Sequence, residues 1–460
     1  MYRRCVTLTL RLRAGTLEVV GAAPDDALVS SLARFDARSR CHRALACAYA
    51  DVRKALSETD RVVVDEVRAD APVDRAIEAP LALRPYQEEA LARWREAARR
   101  GLVVLPTGAG KTRVAVAAIA ETQVRTLVVA PTLDLVWQWH DELRRVFGEA
   151  PGVVGGGDHT VKDLTVTTYD SAFLHAEHLA ARFGLLVFDE VHHLPSPSYR
   201  AAAEFSAAPF RLGLSATPER DDGLHAALDA LVGPIVHRVE VDALRGEFLA
   251  EYDVRTVEVA LTDDERRAYD EARATYLAFV RERRIPMGAR DGFVRFLRAA
   301  TQSAEGRRAL DAYRAQKMLA ECAPGKLDVV DELLTRHAHG RALVFTRDNK
   351  TAYAIARRSL VPAITHQTKV SERAAILTAL KEGTIGAVVT SRVLNEGVDV
   401  PDADVAVVVS GSGTVREHVQ RLGRVLRKSG EKRACLYELV TSGTGEEATS
   451  QRRREHVAYR

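Results

Sequence analysis

The chain has 460 residues, too many for one hydrophobic core, so we expect about three domains. Hydrophobic residues make up 47% and charged residues 28%, which is typical of a globular protein, and the net charge of +3 restricts any nucleic-acid surface to a local patch. The five cysteines are scattered without a Cys-x-x-Cys pair, which argues against zinc, an iron–sulfur cluster and a disulfide framework. Without a long apolar run or a signal-peptide core, we expect a protein that neither spans a membrane nor is secreted.

The first segment, residues 1–78, is predicted to form a small α/β domain. Residues 6–13 alternate apolar and polar side chains, and a second run at 16–20 follows Ala14-Gly15, which indicates a β-hairpin. We find no candidate catalytic residue in this segment. A packing appendage and a DNA-reading module are both consistent with it.

Two series of alternating strands and helices follow, at residues 79–238 and 239–460. This alternation predicts α/β lobes, each with a parallel sheet covered on both faces. Within the second series, residues 262–322 read as a charged helical insertion, with Tyr276 and Phe279 on one apolar face. The basic face of the insertion is either a solvated surface or a DNA contact.

A glycine-rich loop follows a buried strand candidate at residues 102–105 and leads into an alanine-rich helix. Its glycines let backbone N–H groups face an anion at the helix N-terminus, its lysine adds a point charge, and its last threonine can coordinate Mg²⁺. The strict nucleotide-loop pattern has glycine where this chain has Leu105. The predicted phosphate-binding residues are Thr107, Gly108, Ala109, Gly110, Lys111 and Thr112.

Two adjacent acids, Asp189 and Glu190, end the apolar strand candidate at residues 185–188. Ligands of parallel sheets bind beyond the carboxyl ends of the strands, so Asp189 can reach a Mg²⁺ held by Thr112 while Glu190 deprotonates the attacking water. The two histidines that follow are expected to form hydrogen bonds to Ser215-Ala216-Thr217 rather than to bind a metal.

The second lobe contains a basic segment at residues 420–427. On a helix, Arg424 and Arg427 share a face with Gln420, so one side can present both guanidiniums to a γ-phosphate. An arginine that meets the developing charge accelerates phosphoryl transfer by about 10³- to 10⁵-fold. We therefore predict Glu190, Gln420, Arg424 and Arg427 as catalytic, with a merely amphipathic basic helix as the alternative.

If the chain holds a nucleic-acid backbone without reading its sequence, it needs hydroxyl and N–H groups where loops and helices begin. The candidates that follow strands are Thr132, Thr167, Thr168, Arg347, Thr390 and Ser391. For each threonine or serine, a helix cap or a turn is an equally good interpretation.

Several of these segments occur in the order of the motifs of superfamily 2 helicases, which the chain resembles. They are Arg84-Pro85-Tyr86-Gln87 and residues 106–112, 130–132, 167–170, 189–192, 215–217, 343–347, 389–401 and 420–427. The Asp-Glu-Val-His box and residues 409–427 narrow the resemblance to the XPB family, and the compact length resembles its archaeal members.

The resemblance implies two RecA-like lobes, a damage-recognition domain at the N-terminus and a thumb-like insertion. It implies an ATP-dependent DNA helicase or translocase that moves 3′→5′ in nucleotide excision repair or transcription-linked DNA opening. On that model, Arg84 and Gln87 recognise the adenine side of the nucleotide, and Thr390, Gly397 and Asp399 couple the second lobe to ATP and DNA.

The family's unwinding element corresponds to Arg220, Asp221 and Asp222, with Asp221 where glutamate is expected. The charge is kept and the reach is one methylene shorter, which affects the prediction of strand separation but not that of ATP hydrolysis. A translocase that never separates strands, a restriction-system motor, an ATP-gated double-strand DNA-binding factor and an RNA substrate are the alternatives.

The resemblance also implies the setting in which the motor works. The expected cofactors are ATP and Mg²⁺, and the expected partners are single-stranded, forked or damaged duplex DNA and a nuclease or a repair or transcription protein. The expected location is the prokaryotic cytoplasm, at the nucleoid.

Overall fold

The structure is a computed structural model that describes residues 7–67, 72–73, 81–179, 181–220, 222–240, 243, 251–289, 291–391, 403–410 and 433–454. The chain forms two compact units, of which the first runs to Ala243. Among the described residues, the first unit holds a five-stranded and an eight-stranded sheet, and the second a six-stranded sheet. The predicted α/β class with parallel sheets is confirmed. None of the described helices is both long and apolar enough to cross a membrane.

The N-terminal sheet begins with the predicted hairpin, whose strands pair antiparallel. Leu8, Leu10, Leu17 and Val19 alternate into a shared core, as the period of two requires. The turn residue Gly15 has φ +69, and a Cβ there would lie 3.2 Å from the Phe205 ring, so this turn packs directly on the next part of the unit. The elements are β1 Thr7–Arg13, β2 Thr16–Val20, α1 Ala27–Leu32, β3 Arg34–Asp36, β4 Cys41–Leu45, a 3₁₀ turn Ala46–Ala48, α2 Tyr49–Ser57 and β5 Val62–Asp65.

The eight-stranded sheet has the order β13-β6-β12-β11-β7-β10-β8-β9 and is parallel apart from the β8–β9 pair. Its strands are β6 Arg100–Val104, β7 Thr126–Ala130, β8 Gly152–Gly155, β9 Asp158–His159, β10 Leu164–Thr168, β11 Leu185–Phe188, β12 Phe210–Ser215 and β13 Ile235–Arg238. The helices are α3 Pro85–Glu96, α4 Lys111–Thr122, α5 Leu133–Phe147, α6 Tyr169–Leu174, α7 Ala176–Leu179, α8 Ala201–Glu204 and α9 Leu228–Leu231, with 3₁₀ turns Val191–His193 and Leu224–Ala227. Strands β7 and β11 are buried along their whole length, which explains their mainly apolar sequences.

The order of the central strands positions the site. The carboxyl ends of β6, β12, β11, β7 and β10 lie side by side at one edge of the sheet. The glycine loop, the Ser215 segment, the acid pair and Thr132 follow four of these strands, and Thr168 ends the fifth. Segments that are far apart in sequence are therefore neighbours at this edge.

Arg211, on β12, is fully buried and binds backbone carbonyl groups. Its guanidinium donates to the carbonyl oxygens of Ala203, Ser206 and Ala208 at 3.0, 2.9 and 3.2 Å, and also to that of Leu231. Burial lowers the pKa of Arg211 to about 10, which leaves the group charged at neutral pH. The arginine thus stabilises residues 203–208, the segment in which Phe205 and Ala207 contact the N-terminal domain.

We expect Arg211→Met to lower the free energy of unfolding by about 2 to 3 kcal/mol, because buried carbonyl oxygens lose their donors. Arg93→Met, on an exposed helix face, is the matched control and should change it by less than about 0.5 kcal/mol. Urea titration of both variants measures the difference. Equal midpoints for the two variants would contradict this account of Arg211.

The sheet of the second unit has the order β14-β19-β18-β15-β17-β16, and its described pairs are parallel. Its strands are β14 Glu251–Val259, β15 Ala342–Phe345, β16 Ala363–Ile364, β17 Ala387–Thr390, β18 Val405–Val408 and β19 Arg433–Thr441. The helices are α10 Asp263–Glu282, α11 Gly292–Thr301, α12 Ala304–Glu321, α13 Pro324–Arg336, α14 Asn349–Ser359, α15 Val370–Glu382 and α16 Gly445–Arg454.

Helices α10 to α12 occupy the segment that the sequence predicts as a helical insertion. A capping box of Thr262 and Glu265 starts α10. The three helices share an aromatic core in which the Phe296 ring lies 5.3 Å from that of Tyr276 and 5.7 Å from that of Tyr313. The insertion is therefore a packed helical element with its own core.

Candidate active site

The glycine loop connects β6 to the N-terminus of α4. The Leu105 N–H donates to the Ser215 carbonyl at 3.1 Å, which ties the loop to β12. Gly108 and Gly110 have φ of +84 and +78, a left-handed conformation that other residues rarely adopt. At Gly110 a Cβ would also lie 2.6 Å from Gln87 Nε2, so this position needs glycine for space as well. The helix that starts at Lys111 is 12 residues long, long enough for a developed positive N-terminus.

Two side chains of the loop suit a phosphate ligand. Lys111 Nζ donates to the Leu105 carbonyl at 3.3 Å, which places the ammonium group over the loop. Thr107 Oγ1 is buried and has no hydrogen-bond partner among the described residues. A buried hydroxyl without a partner is costly, so a ligand atom that bonds to it would be stabilising. The loop therefore fits the phosphate chain that the sequence predicts for it.

Gln87 and Arg84 lie against this loop. Gln87 is buried, its Oε1 accepts from the Arg84 N–H at 2.9 Å, and its Nε2 donates to the Ala109 carbonyl at 2.8 Å. The Tyr86 hydroxyl donates to the same carbonyl at 2.9 Å and accepts from Arg84 Nη1 at 3.1 Å. Tyr86 is not among the site residues predicted from the sequence. These residues hold the loop in place, and adenine recognition by Arg84 and Gln87 stays a prediction.

Asp189 lies directly after β11, and 8% of it is exposed. Its Oδ2 accepts from Trp139 Nε1 at 2.9 Å, and its Oδ1 accepts from the Glu190 N–H at 3.0 Å. Burial raises the pKa of Asp189, whereas the Trp139 hydrogen bond and the Lys111 charge act in the opposite direction. The loop and the acid follow β6 and β11, whose carboxyl ends lie at the same edge of the sheet on either side of β12, so they belong to one site.

Glu190, the predicted base, has φ +45, an uncommon conformation for a residue with a side chain. Its Oε2 lies 3.5 Å from His192 Nδ1, which is 3.3 Å from Ser215 Oγ. Ser215 Oγ in turn accepts from the Thr217 N–H at 3.1 Å. His192 thus makes the hydrogen bond to the Ser215 segment that the sequence predicts, and the described residues contain no cluster of three His, Cys, Asp or Glu side chains suited to a metal.

The hydroxyl groups of the predicted DNA contacts in the first unit have local partners. Thr132 caps α5 by accepting from the Leu135 N–H at 3.3 Å, and Thr168 caps α6 by accepting from Ser171 at 3.1 Å. Thr167 is buried and donates to the Val154 carbonyl at 2.7 Å. The cap interpretation therefore holds for Thr132 and Thr168, and DNA contact by the three residues stays a prediction.

Arg220, which belongs to the predicted unwinding element, forms a hydrogen bond to the Asp-Glu-Val-His box. Its Nη1 donates to the His192 carbonyl at 2.7 Å and its Nε to Asp222 Oδ1 at 2.9 Å. Asp221 lies outside the described residues. Arg220 is thus joined by a hydrogen bond to the segment that follows Asp189 and Glu190.

In the second unit, Arg347 forms an ion pair with Glu321, and its N–H donates to Ser410 Oγ at 3.0 Å. Thr390 and Ser391 are buried, and Thr390 donates to the Ser391 carbonyl at 3.0 Å. The remaining predicted site residues, Gly397, Asp399, Gln420, Arg424 and Arg427, lie outside the described residues.

Two buried polar side chains, Lys326 and Trp139, are not among the residues predicted from the sequence. Lys326, at the start of α13, donates to the Val409 carbonyl at 2.8 Å and to Glu446 at 2.7 Å, and burial lowers its pKa. Trp139 follows the buried apolar face of α5, with Val136 and Leu143, and so looks like ordinary core. The lysine at a helix start could have been noticed, but nothing local indicates that the indole meets Asp189.

A phosphate loop and an acid pair at one edge of a parallel sheet, with a second parallel sheet in the same chain, define the class of helicase-like nucleoside triphosphatases. Three family models match the chain: "Type III restriction enzyme, res subunit" at residues 80–220, "Helicase conserved C-terminal domain" at 325–429, and "Xeroderma pigmentosum group B helicase damage recognition domain" at 10–67.

The chain is 42% identical to the DNA 3'-5' translocase XPB2 of Sulfurisphaera tokodaii, and the match covers 90% of this chain and 94% of the relative. It therefore belongs to the XPB family of superfamily 2 helicases, which confirms the resemblance.

Other relatives are longer than this chain. It is 32% identical to the DNA 3'-5' helicase XPB of Kineococcus radiotolerans, with 82% of this chain and 63% of the relative covered. It is 27% identical to the general transcription and DNA repair factor IIH helicase/translocase subunit XPB2 of Arabidopsis thaliana, with 81% and 49% covered.

Two solved structures share the fold. The Hef helicase domain of Pyrococcus furiosus matches with TM-score 0.51 and 19% identity over 81% of this chain and 98% of that chain. S. cerevisiae Dbp5 bound to RNA and ADP BeF3 matches with TM-score 0.56 and 13% identity over 82% and 88%. At these identities the likeness concerns the RecA-like fold alone.

Proposed function

We propose that the chain is a DNA-dependent ATPase that acts as a 3′→5′ DNA helicase or translocase in nucleotide excision repair or transcription-linked DNA opening. One observation carries the proposal: the phosphate loop with Lys111 and the acid pair with Asp189 both follow parallel strands at the carboxyl edge of one sheet, in a chain that is 42% identical to a DNA 3'-5' translocase. The family uses ATP, and the loop offers a buried hydroxyl and an ammonium group for its phosphates.

In the proposed site, Lys111 and the backbone of residues 107–112 bind the phosphates of ATP. Thr112 and Asp189 hold Mg²⁺, which neutralises phosphate charge when bound. Glu190, whose backbone turn directs it toward His192, accepts the proton of the attacking water. Gln420, Arg424 and Arg427 of the second lobe are the further proposed catalytic residues, with the role of meeting the charge on the γ-phosphate.

DNA is the proposed track, and its backbone is the proposed point of contact. The proposed contacts are Thr132, Thr167 and Thr168 in the first lobe and Arg347, Thr390 and Ser391 in the second, and Thr390, Gly397 and Asp399 are proposed to couple the second lobe to ATP and DNA. Support comes from the match of residues 10–67 to a damage recognition domain. The proposed domains are residues 1–78, 79–238 and 239–460, with the thumb-like insertion at 262–322.

The proposed partners are single-stranded, forked or damaged duplex DNA and a nuclease or a repair or transcription protein. A relative of Arabidopsis thaliana is named as a subunit of a general transcription and DNA repair factor, which supports work within an assembly. The proposed place of action is the nucleoid of a prokaryotic cell, since several relatives are prokaryotic.

A translocase that does not separate strands is the second candidate. Arg220 of the proposed unwinding element is engaged by Asp222 and the His192 carbonyl, and Asp221 is one methylene shorter than the expected glutamate. Because Arg220 is already engaged and the acid beside it is shorter, the element has fewer groups available to part the strands. This supports movement along duplex DNA over strand separation.

The test compares ATPase rates without nucleic acid and with single-stranded, forked and damaged duplex DNA and RNA. We expect DNA to raise the rate and RNA to leave it near the basal value. On the same preparation, triplex displacement reports translocation and release of a labelled strand reports unwinding. Displacement without strand release would select the translocase, and no DNA stimulation at all would contradict the proposed function.

A further inference from the structure

Two hydrogen bonds set the orientation of the Asp189 carboxylate. One donor, the Glu190 N–H, is supplied by the next residue in the chain, at 3.0 Å from Oδ1. The other, Trp139 Nε1, comes from a residue 50 positions earlier and lies 2.9 Å from Oδ2. The terminal torsion of an aspartate is soft, so external donors are needed to define the plane of the carboxylate. Trp139 is 2% exposed, which leaves its indole little freedom to move away.

Both the side chain and the backbone of Asp189 are tied to helices that begin at candidate DNA contacts. Trp139 lies about two turns into α5, which Thr132 caps. Tyr169 is the first residue of α6, which Thr168 caps, and its hydroxyl donates to the Asp189 carbonyl at 2.9 Å. Tyr169 is 1% exposed, so its hydroxyl too is held in a packed interior.

We propose that Trp139 and Tyr169 are positioning residues, which hold Asp189 in the orientation needed at the nucleotide site and connect it to α5 and α6. The inference rests on the proposed function, which assigns Asp189 to metal-bound ATP and the starts of α5 and α6 to DNA. A shift of either helix on DNA changes a hydrogen bond to Asp189. The two aromatic residues thus form a short physical connection from the DNA contacts to the hydrolytic site.

Trp139→Phe keeps an aromatic ring and removes the N–H donor, and the loss of buried ring volume that comes with it is matched in the Trp94→Phe control described below. Partners that orient a metal-holding carboxylate typically matter by about 10- to 100-fold in metal affinity or activity. We therefore expect ADP with Mg²⁺ to bind Trp139→Phe about tenfold or more weakly than wild type. ADP in EDTA should bind both proteins equally, because the phosphate loop is intact. Titration calorimetry measures both affinities without any turnover.

Trp94→Phe is the matched control. Trp94 is equally buried in the same unit, and its Nε1 donates to the Arg211 carbonyl at 2.9 Å, so this variant loses the same kind of bond away from the carboxylate of Asp189. It should bind ADP with Mg²⁺ like wild type. Tyr169→Phe is the second test variant and should show a smaller loss in the direction of Trp139→Phe. Thermal melting shows that each variant is folded before it is used.

The connection to DNA is tested with ATPase rates. We expect Trp139→Phe to lower the DNA-stimulated rate by a larger factor than the basal rate, and Trp94→Phe to lower neither selectively. The inference is overturned if Trp139→Phe and Trp94→Phe bind ADP with Mg²⁺ equally tightly and also have the same ratio of DNA-stimulated to basal ATPase rate. A wild-type protein without DNA-stimulated ATPase would instead refute the proposed function, while the calorimetry would still decide whether Trp139 positions Asp189.

Discussion

Lys111→Ala is expected to lower the DNA-stimulated ATPase rate by about 10²- to 10³-fold, the usual cost of removing one group that stabilises developing charge. Two losses combine to lower the rate of this variant. The loop loses the ammonium group that lies over it, bound to the Leu105 carbonyl. The carboxyl of Asp189 also loses a charge that lowers its pKa, so its pKa rises further and less of it is ionised at a given pH.

Lys381→Ala is the control for this experiment, since Lys381 is an exposed lysine near the end of α15 in the second unit. It should keep the wild-type rate and melting temperature. Both variants are assayed with saturating DNA and ATP, and again with ATP varied. An unchanged rate in Lys111→Ala would show that the loop is not the nucleotide site.

Glu190→Gln is expected to lower the hydrolysis rate by about 10²- to 10⁴-fold while ATP still binds, because the amide cannot take a proton from water. The neutral side chain has nearly the same shape, so the turn at φ +45 and the neighbouring His192 should be little disturbed. Retained nucleotide binding distinguishes this variant from Lys111→Ala. The measurements are a single-turnover ATPase rate and binding of a fluorescent ATP analogue.

Glu96→Gln, on an exposed face of α3, controls for the loss of a negative charge and should hydrolyse ATP at the wild-type rate. A Glu190→Gln protein that hydrolyses ATP within about threefold of wild type would assign the base to another residue, since a general base contributes far more than that. A variant that no longer binds nucleotide would instead indicate a structural role for Glu190.

Strands with uninterrupted apolar sequence could be located from the sequence alone. The predicted runs at 102–105 and 185–188 overlap β6 and β11, because these strands lie inside the sheet and are almost wholly buried. Strands β8 and β13 are not predicted, for different reasons. Gly152–Gly155 has glycine at both ends, and Ile235–Arg238 is short, half of it polar, and partly exposed beside β6.

The sequence alone predicts those parts of the candidate site whose functional residues lie together in one short segment. Glycines at defined spacing before Lys111, and two acids after an apolar strand, can be recognised without a structure because they depend on local backbone geometry. Thr132 and Thr168 show the limit of this reasoning, since a threonine after a strand looks the same whether it caps a helix or meets DNA. The structure shows that both cap helices.

The sequence by itself determined the α/β class, the phosphate loop, the acid pair and the family, since each is encoded in the order of residues along one strand, one turn or one helix start. Only the tertiary structure decided which further groups surround them: Tyr86 and Gln87 on the loop, and Trp139 on Asp189. These partners are separated by tens of residues and meet because the order of the strands in the sheet brings their carboxyl ends together. A hydrogen bond between such residues depends on packing, which no local pattern records.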